Sequence, residues 1–269
     1  MLCVPGCAPS CVPASHAYAG AVFEDEELLT GGNVADEVMR IGSSVRKPAT
    51  GASPAVHALL RAVRARGVAA PEPYGFDAQG RQVLEFVPGV TPDHLDLADL
   101  ARVGALVRSI HDAAADFHSV GDADWDVLLP APGAPELICH NDLAPWNLIV
   151  GERWLFIDWD GAGPSTRLWD LAYSASAFTL NDRTERIGES AARLRALVDG
   201  YGADDALRDA LPNALAERTA AMRDMLADAH AHGREPWATM HSDGHGAHWS
   251  AVADHVRTHR EQWARALRD

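Results

Sequence analysis

Apolar and polar residues alternate over short segments in the first third of the chain. Residues 34–41 and 44–47 show this alternation on either side of a glycine turn, and residues 74–77 and 81–87 repeat it further along. Alternation with a period of two is the pattern of a strand that has one buried face. The first third of the chain is therefore predicted to form two β-hairpins of one small antiparallel sheet.

Outside these hairpins the apolar residues recur with the spacing of a helix. Val56, Leu59, Leu60 and Val63 are spaced to lie on one face of a helix between the two hairpins. From Leu95 onward the same spacing recurs to the end of the chain. The later segments predicted to be helical are 99–116, 175–178, 184–201, 206–230 and 248–267. The predicted class is α+β.

These patterns divide the chain into unequal parts. Residues 1–20 are rich in proline, serine, glycine and alanine, show no hydrophobic period, and are predicted to be a disordered tail. Residues 21–88 are predicted to form a small N-terminal lobe of antiparallel sheet and one helix. Residues 89–269 are predicted to form a larger, mostly helical C-terminal lobe.

A polar turn between residues 138 and 160 carries the candidate chemistry. Asp142 is followed five residues later by Asn147, and Asp158 comes eleven residues after that, where a short apolar segment ends. Carboxylate and amide oxygens are the ligands that Mg²⁺ prefers, usually together with a substrate phosphate. This spacing of acid, asparagine and strand-borne acid is typical of a phosphoryl-transfer site.

Composition and charge limit the classes of function that the chain could have. The apolar fraction of 47% is that of a soluble globular protein, and no apolar run reaches the ~20 residues that a membrane span needs. The net charge of −15 argues against a nucleic-acid partner. It would attract a cationic substrate, although an acidic surface that only maintains solubility explains it equally well. We expect a cytoplasmic protein, because no basic residue precedes Arg40 as an export signal would require.

The motifs resemble those of a known family. Residues 140–147 resemble the H-G-D-x4-N catalytic loop of the aminoglycoside phosphotransferases and related small-molecule kinases. Residues 157–160 resemble the metal-binding segment of that family, and residues 170–173 resemble the D-[LI]-A segment that follows it. The resemblance implies a bilobal protein-kinase-like fold, ATP or GTP as phosphoryl donor, Mg²⁺, and a small acceptor hydroxyl. The acceptor could be cationic, and the sequence leaves the oligomeric state open.

Carried over position by position, the resemblance assigns roles to the site residues. Asp142 would be the catalytic base, and Asn147 and Asp158 would bind the metal. Lys47, at the end of a predicted strand, would bind the nucleotide phosphates, with Arg46 as the alternative if the strand register shifts by one residue. Main-chain groups near Glu85 and Val87 would pair with the nucleotide base, and the glycine turn at 31–33 would cover its phosphates.

Further residues have roles that stay open. Asp160 shares a face with Asp158 if the segment is extended, so it could bind a second metal, bind a cationic substrate, or simply be exposed. The family resemblance implies that His140 braces the catalytic loop and that Asp170 holds this loop through its amides. The family also has a glutamate on the N-lobe helix that orients the lysine, and this chain has none; His57 could occupy that place or be a surface residue.

Two other functions compete with phosphoryl transfer. A nucleotide-binding module without catalysis would explain the missing glutamate, and a metal-dependent phosphohydrolase could use His140, Asp142 and Asp158. A zinc site at His241, His245 and His248 is disfavoured, because Gly244 and Gly246 interrupt any helix that would fix its geometry.

Overall fold

The computed structural model describes residues 26–29, 38–117 and 123–268. The predicted tail at 1–20, the glycine turn at 31–33 and the first residues of the 34–41 segment lie outside the described residues.

An antiparallel sheet of five strands occupies the first part of the described chain, in the order β1-β2-β3-β5-β4. Strand β3 lies at its centre because it pairs with β2 on one side and β5 on the other. In that register Lys47 of β3 lies opposite Gln82 of β5, so their side chains are on one face of the sheet. The strands are β1 (Glu26–Leu28), β2 (Met39–Ile41), β3 (Ser44–Lys47), β4 (Pro73–Phe76) and β5 (Gln82–Glu85).

Helix α1 (Ser53–Ala65) connects β3 to β4. The four apolar residues predicted to form its stripe, from Val56 to Val63, are all buried. Burying this stripe against the rest of the core holds the helix in place, as amphipathic helices require.

The remainder of the described chain is mostly helical, so the predicted α+β class is confirmed. None of these helices is long and apolar enough to cross a lipid bilayer. They are α2 (Leu97–Ala114), α3 (Arg167–Thr179), α4 (Ile187–Tyr201), α5 (Asp205–His232), α6 (Trp237–Met240), α7 (Gly246–Thr258) and α8 (Arg260–Arg268).

Two of the predicted helices differ substantially from the helices in the structure. The helix predicted at 175–178 begins at Arg167, because the Thr166 hydroxyl caps it by accepting from the Trp169 N–H at 3.1 Å. The segment predicted as one helix at 248–267 is two helices, since the backbone leaves helical geometry at His259. The earlier start of α3 matters for the site, because it places Asp170 and Tyr173 on a helix.

Two short two-stranded antiparallel sheets carry the candidate site between α2 and α3. Strand β6 (Leu137–Cys139) pairs with β9 (Gly163–Ser165), and β7 (Leu148–Ile149) pairs with β8 (Leu155–Phe156). A backbone bridge between Val90 and Val150 joins this region to the segment that follows the sheet.

Candidate active site

The loop after β6 turns at Asn141. Its φ of 65° lies in the left-handed region, which asparagine tolerates better than most residues do. The Asn141 N–H donates to Asp170 Oδ1 at 3.0 Å, and its side-chain Nδ2 donates to the Gly161 carbonyl oxygen at 3.1 Å. These two bonds fix the loop at the residue just before Asp142.

Asp142 is half-buried and both of its carboxylate oxygens are held. Tyr173 Oη donates to Oδ1 at 2.7 Å, and Asn147 Nδ2 donates to Oδ2 at 2.7 Å. Burial raises the pKa of Asp142 above its ordinary value, while the bond from Tyr173 and the nearby His140 act against that rise. The two hydrogen bonds fix the direction of the carboxylate, and its burial increases its affinity for a proton.

Tyr173 was not recognised as a site residue from the sequence. It lies three residues after Asp170 on α3, so the two side chains share a helix face, and that spacing was the only available signal. Burial and the neighbouring Asp142 hold the pKa of Tyr173 well above its usual range, so it stays a donor. The Arg218 guanidinium, also missed, lies over the Tyr173 ring at 4.3 Å.

His140 is buried and uses both ring nitrogens in the loop. Its Nε2 lies 3.1 Å from the Ile157 carbonyl oxygen, and its Nδ1 lies 3.3 Å from the Asp142 N–H. Only the neutral ring that carries its proton on Nε2 satisfies both partners, since a carbonyl accepts and an N–H donates. Burial lowers the pKa of His140, in agreement with that neutral form. His140 thus connects the Asp142 loop to the segment that carries Asp158.

Asn147 and Asp158 lie close together across the β7–β8 hairpin. The Ile157 N–H donates to the Asn147 carbonyl oxygen at 2.8 Å, which places Asp158 next to Asn147. The Asn147 Nδ2 group donates to Asp142, so its Oδ1 is the atom left to bind a cation. Asp158 has φ 60° and ψ 63°, a left-handed conformation that is strained for a residue with a Cβ and is found often at functional sites.

The two remaining donors fit a hard divalent cation. The Asn147 amide oxygen and the Asp158 carboxylate are oxygen ligands of the kind that Mg²⁺ takes, and the Asp158 side chain is partly exposed. Two protein ligands also leave room for waters and phosphate oxygens, which Mg²⁺ normally retains.

Lys47 reaches this segment from the sheet, and Arg46 does not. The buried Lys47 Nζ lies 2.9 Å from Asp158 Oδ1 and 2.7 Å from Asp160 Oδ2. Burial alone would lower the pKa of Lys47, but the two carboxylates hold it above its ordinary value. Arg46 points to the other side of β3 and donates to the Ser44 hydroxyl.

Asp160 lies in a turn instead of an extended segment. The left-handed Asp158 starts a single 3₁₀ turn over Trp159–Gly161, so the assumed extended geometry was wrong. Asp160 nevertheless meets Lys47, and its other oxygen, Oδ1, accepts from Gln82 Nε2 at 3.0 Å. Gln82, fully buried on β5, was not recognised from the sequence.

His57 occupies the inner face of α1 and is not a surface residue. Its ring stacks on Phe76 with 4.8 Å between ring centres, and neither ring nitrogen makes a hydrogen bond of normal geometry. Burial and the nearby Arg61 lower the pKa of His57. His57 therefore supplies no negative charge for Lys47.

Asp170 is buried behind the catalytic loop. Oδ1 accepts from the Asn141 N–H, and Oδ2 lies 3.0 Å from His111 Nε2. The other ring nitrogen of His111 lies 2.9 Å from Tyr201 Oη, so the chain of contacts runs from α4 through α2 to the loop.

Glu85 and Val87 lie where the chain leaves the sheet. The Glu85 N–H donates to the Glu72 carbonyl oxygen at 2.8 Å, and its side chain pairs with Arg153. Val87 is buried at the start of the connection to α2. The side chain and N–H of Glu85 are thus engaged within the protein, so the pairing with a nucleotide base that was predicted near Glu85 would have to use another main-chain group.

The histidines of the C-terminal helices do not form a cluster of three potential metal ligands in the described part of the chain. Among the described residues, the only group of three potential ligands within 4.8 Å of one another is His111, Cys139 and Asp170. That group is buried and is hydrogen-bonded to the loop and to Tyr201. His248 instead lies 2.8 Å from the Asn181 side-chain oxygen.

The model of one protein family matches more than half of the chain. The model of the phosphotransferase enzyme family (APH) matches residues 28–126 and 122–209 of the chain. No curated protein matches the chain in sequence.

Three solved structures illustrate the likeness in fold. A choline/ethanolamine kinase family protein from Mesorhizobium loti is 19% identical, with 96% of this chain and 95% of that chain covered at a TM-score of 0.59. The amicoumacin kinase hAmiN, in complex with AMP-PNP, Ca²⁺ and Ami, is 15% identical over 88% of this chain and 87% of that one, with a TM-score of 0.64. A microcompartment-associated aminopropanol kinase is 18% identical, with 91% of this chain and 93% of that chain covered at a TM-score of 0.61.

Proposed function

Because the chain belongs to the phosphotransferase enzyme family, we propose that it moves the γ-phosphoryl group of ATP or GTP, with Mg²⁺, to a hydroxyl of a small amine-bearing acceptor. Family membership supports a small-molecule phosphotransferase with a hydroxyl acceptor. The observation that carries the finer proposal is that the Asp142–Asn147 pair and the Lys47–Asp158 pair are brought side by side by the main-chain bond from Ile157 to Asn147.

Asp142 is the residue that would receive the acceptor hydroxyl. Each of its oxygens accepts one bond from the protein and keeps a second lone pair for the acceptor O–H. As the oxygen attacks phosphorus, its proton passes to Asp142, whose raised pKa favours that transfer. Tyr173 and Asn147 hold the carboxylate in direction throughout.

Lys47, Asn147 and Asp158 would hold the phosphates and the cation. Mg²⁺, when bound, neutralises charge on the β- and γ-phosphates of the donor. The Asn147 oxygen and the Asp158 carboxylate would be its protein ligands, and the Lys47 ammonium would contact a phosphate oxygen. Phosphoryl transfer depends mainly on such positioning and charge neutralisation.

The acceptor is proposed to be an amino alcohol or an amino sugar. Two similar structures are named as a choline/ethanolamine kinase family protein and an aminopropanol kinase, and a net charge of −15 would attract a cation. A cavity of about 600 Å³ lies beside the catalytic turn. Pro145 and Ala177, one turn after Tyr173 on α3, are part of its lining. The charged residues of the lining are three acids and two arginines, Asp93, Asp182, Glu185, Arg183 and Arg193.

The test is transfer of a labelled γ-phosphate from ATP or GTP, with Mg²⁺, to a panel of acceptors. The panel contains ethanolamine, choline, aminopropanol and aminoglycosides, each beside a neutral diol or sugar of similar size. We expect transfer to at least one amine and not to its neutral counterpart, and Asp142→Asn should lower turnover by two or more orders of magnitude.

Two results would overturn the proposal. Nucleotide that binds and is never transferred to any acceptor would indicate a binding module, and release of phosphate independent of acceptor would indicate a hydrolase. Near wild-type turnover in Asp142→Asn would remove Asp142 from the base role.

A further inference from the structure

The family resemblance implies a glutamate on the N-lobe helix that pairs with the phosphate-binding lysine, and this chain has no acid on that helix. Helix α1, which covers Ser53–Ala65, contains no acidic residue. The Lys47 ammonium nonetheless has two carboxylate neighbours, and both come from the turn after β8.

The two carboxylates differ in what else they contact. Asp158 has 53% of its side chain exposed and makes its described side-chain bonds to Lys47 alone, so it can turn toward a cation in the cleft. Asp160 is less exposed, at 34%, and its second oxygen is fixed by Gln82. Gln82 in turn donates to the Pro48 carbonyl oxygen at 3.0 Å, next to Lys47 in sequence.

We propose that Asp160, held by Gln82, is the positioning residue for Lys47 and takes the place of the absent helix carboxylate. The inference rests on the proposed function, since it concerns the lysine that would bind the donor phosphates. When Asp158 is engaged by the cation, Asp160 keeps its own bond to Lys47 and holds the ammonium at the site. A second metal or a cationic acceptor is not needed to explain Asp160.

The turn that carries Asp160 is itself anchored. Trp159 is buried, and its indole N–H donates to the Phe156 carbonyl oxygen at 2.9 Å. The left-handed Asp158 directs the chain into this turn, which brings both acids to one lysine. A ring nitrogen at His57 cannot replace a carboxylate, because the buried ring is neutral.

Loss of the Asp160 carboxylate should weaken nucleotide binding. Without the Asp160 carboxylate, Lys47 would pair with Asp158 alone and compete with the cation for it. We therefore expect Asp160→Asn to raise both the Kd and the KM for Mg·ATP by roughly tenfold or more, the size expected for loss of a hydrogen bond between charged groups. The KM for the acceptor should change by less than twofold.

The experiment compares Asp160→Asn with Gln82→Leu, with the double variant Asp160→Asn/His57→Glu, and with Asp77→Asn as a matched control. Asp77 is also an acid of the sheet region paired to a cation, Arg81, but it lies in the β4–β5 turn. Nucleotide affinity is measured by calorimetry, steady-state kinetics by phosphate transfer, and folding by thermal unfolding of every variant.

Asp160→Asn should weaken Mg·ATP binding, Gln82→Leu should weaken it less, and Asp77→Asn should leave it unchanged. The double variant, which restores a carboxylate to α1, should recover at least half of the lost binding free energy. A purely structural role would lower the melting temperature without a nucleotide-specific loss, and restoring an acid on α1 would not correct it.

Unchanged nucleotide affinity in Asp160→Asn would overturn the inference, as would a double variant that binds no better than the single one. If the wild-type protein itself neither binds nor transfers nucleotide phosphate, the proposed function fails instead, so the two failures can be told apart.

Discussion

Replacing Gly104 by alanine tests how tightly α2 and α4 pack behind the catalytic loop. A Cβ built on Gly104 would lie 2.0 Å from the Leu197 carbonyl oxygen and 2.6 Å from the Tyr201 nitrogen. A Cβ on Gly200 would lie 1.9 Å from the Ala101 carbonyl oxygen, so the two glycines face each other's helices at one crossing. The clashing atoms are main-chain atoms, and no side-chain rotation can relieve the overlap.

The expected loss of stability follows from these distances. Ordinary contact begins at 3.4 Å, so the helices must separate by more than an ångström to accept one methyl group. Overpacking of a core costs about 1–3 kcal/mol, and this rigid overlap belongs at the upper end of that range. Alanine regains roughly 1 kcal/mol of helix propensity over glycine. The net effect is a destabilisation of about 2 kcal/mol, or about 4–8 °C in melting temperature for a domain of this size class.

The assay is thermal unfolding followed by circular dichroism for Gly104→Ala, Gly200→Ala and Gly188→Ala. Gly188 is the matched control, because it is an exposed glycine of α4 and a Cβ added there would have no atom within 4 Å. We expect the control to melt at or slightly above the wild-type temperature. The double variant Gly104→Ala/Gly200→Ala should lose less than the sum of the two single losses, since one separation relieves both overlaps.

Two outcomes would refute this reasoning. An unchanged melting temperature in Gly104→Ala would show that α2 and α4 do not cross as closely as described. Strict additivity in the double variant would show that the two glycines do not share one contact. The site should also respond, because Tyr201 at this crossing is linked through His111 to Asp170.

Three further predictions concern the site. Asp158→Asn should weaken Mg·nucleotide binding by tenfold or more in calorimetry, and equal affinities would show that Asp158 is not a metal ligand. Tyr173→Phe removes a hydrogen-bond donor that favours ionised Asp142, so the pKa of Asp142 should rise. The acidic limb of the plot of kcat/KM against pH should then move to higher pH, and superimposable plots for the variant and the wild type would contradict this. Burial lowers the pKa of His140, so the folded state binds fewer protons than the unfolded state. The free energy of unfolding should therefore fall as the pH drops below about 6.5, the ordinary pKa of histidine. Urea unfolding of wild type and His140→Gln between pH 7.5 and 5.5 measures this, and equal slopes would exclude His140 as the cause.

The local parts of the fold and site could be predicted from the sequence. Alternation and helical spacing gave the two hairpins and α1, because these patterns reflect which face of each element is buried. Side-chain alternation along β3 favoured Lys47 over Arg46, and the structure directs Lys47 toward Asp158. The left-handed turn at Asn141 agrees with the tolerance of asparagine for that conformation.

The contacts between distant segments could not be predicted in the same way. Gln82 and Asp160 are 78 residues apart, and only the register of β5 against β3 and the turn after Asp158 bring them together. Tyr173 required knowing that α3 begins at Arg167, which depends on the Thr166 cap and not on an apolar stripe. Such contacts arise from the packing of separate elements, which residue spacing along one element does not encode.

The position of Lys47 has a consequence for control of the site, if Asp160 is its positioning residue. A lysine paired with an acid on a mobile helix loses that partner when the helix moves away. Here the acid lies in the same turn as Asp158 and is held by Gln82 on the strand next to Lys47. Movement of α1 would therefore leave the ion pair intact, since α1 contributes no charge to it. The proposed phosphate-binding lysine and the proposed metal ligand Asp158 are instead coupled directly through one short turn, so a change that displaces Trp159 would disturb both at once.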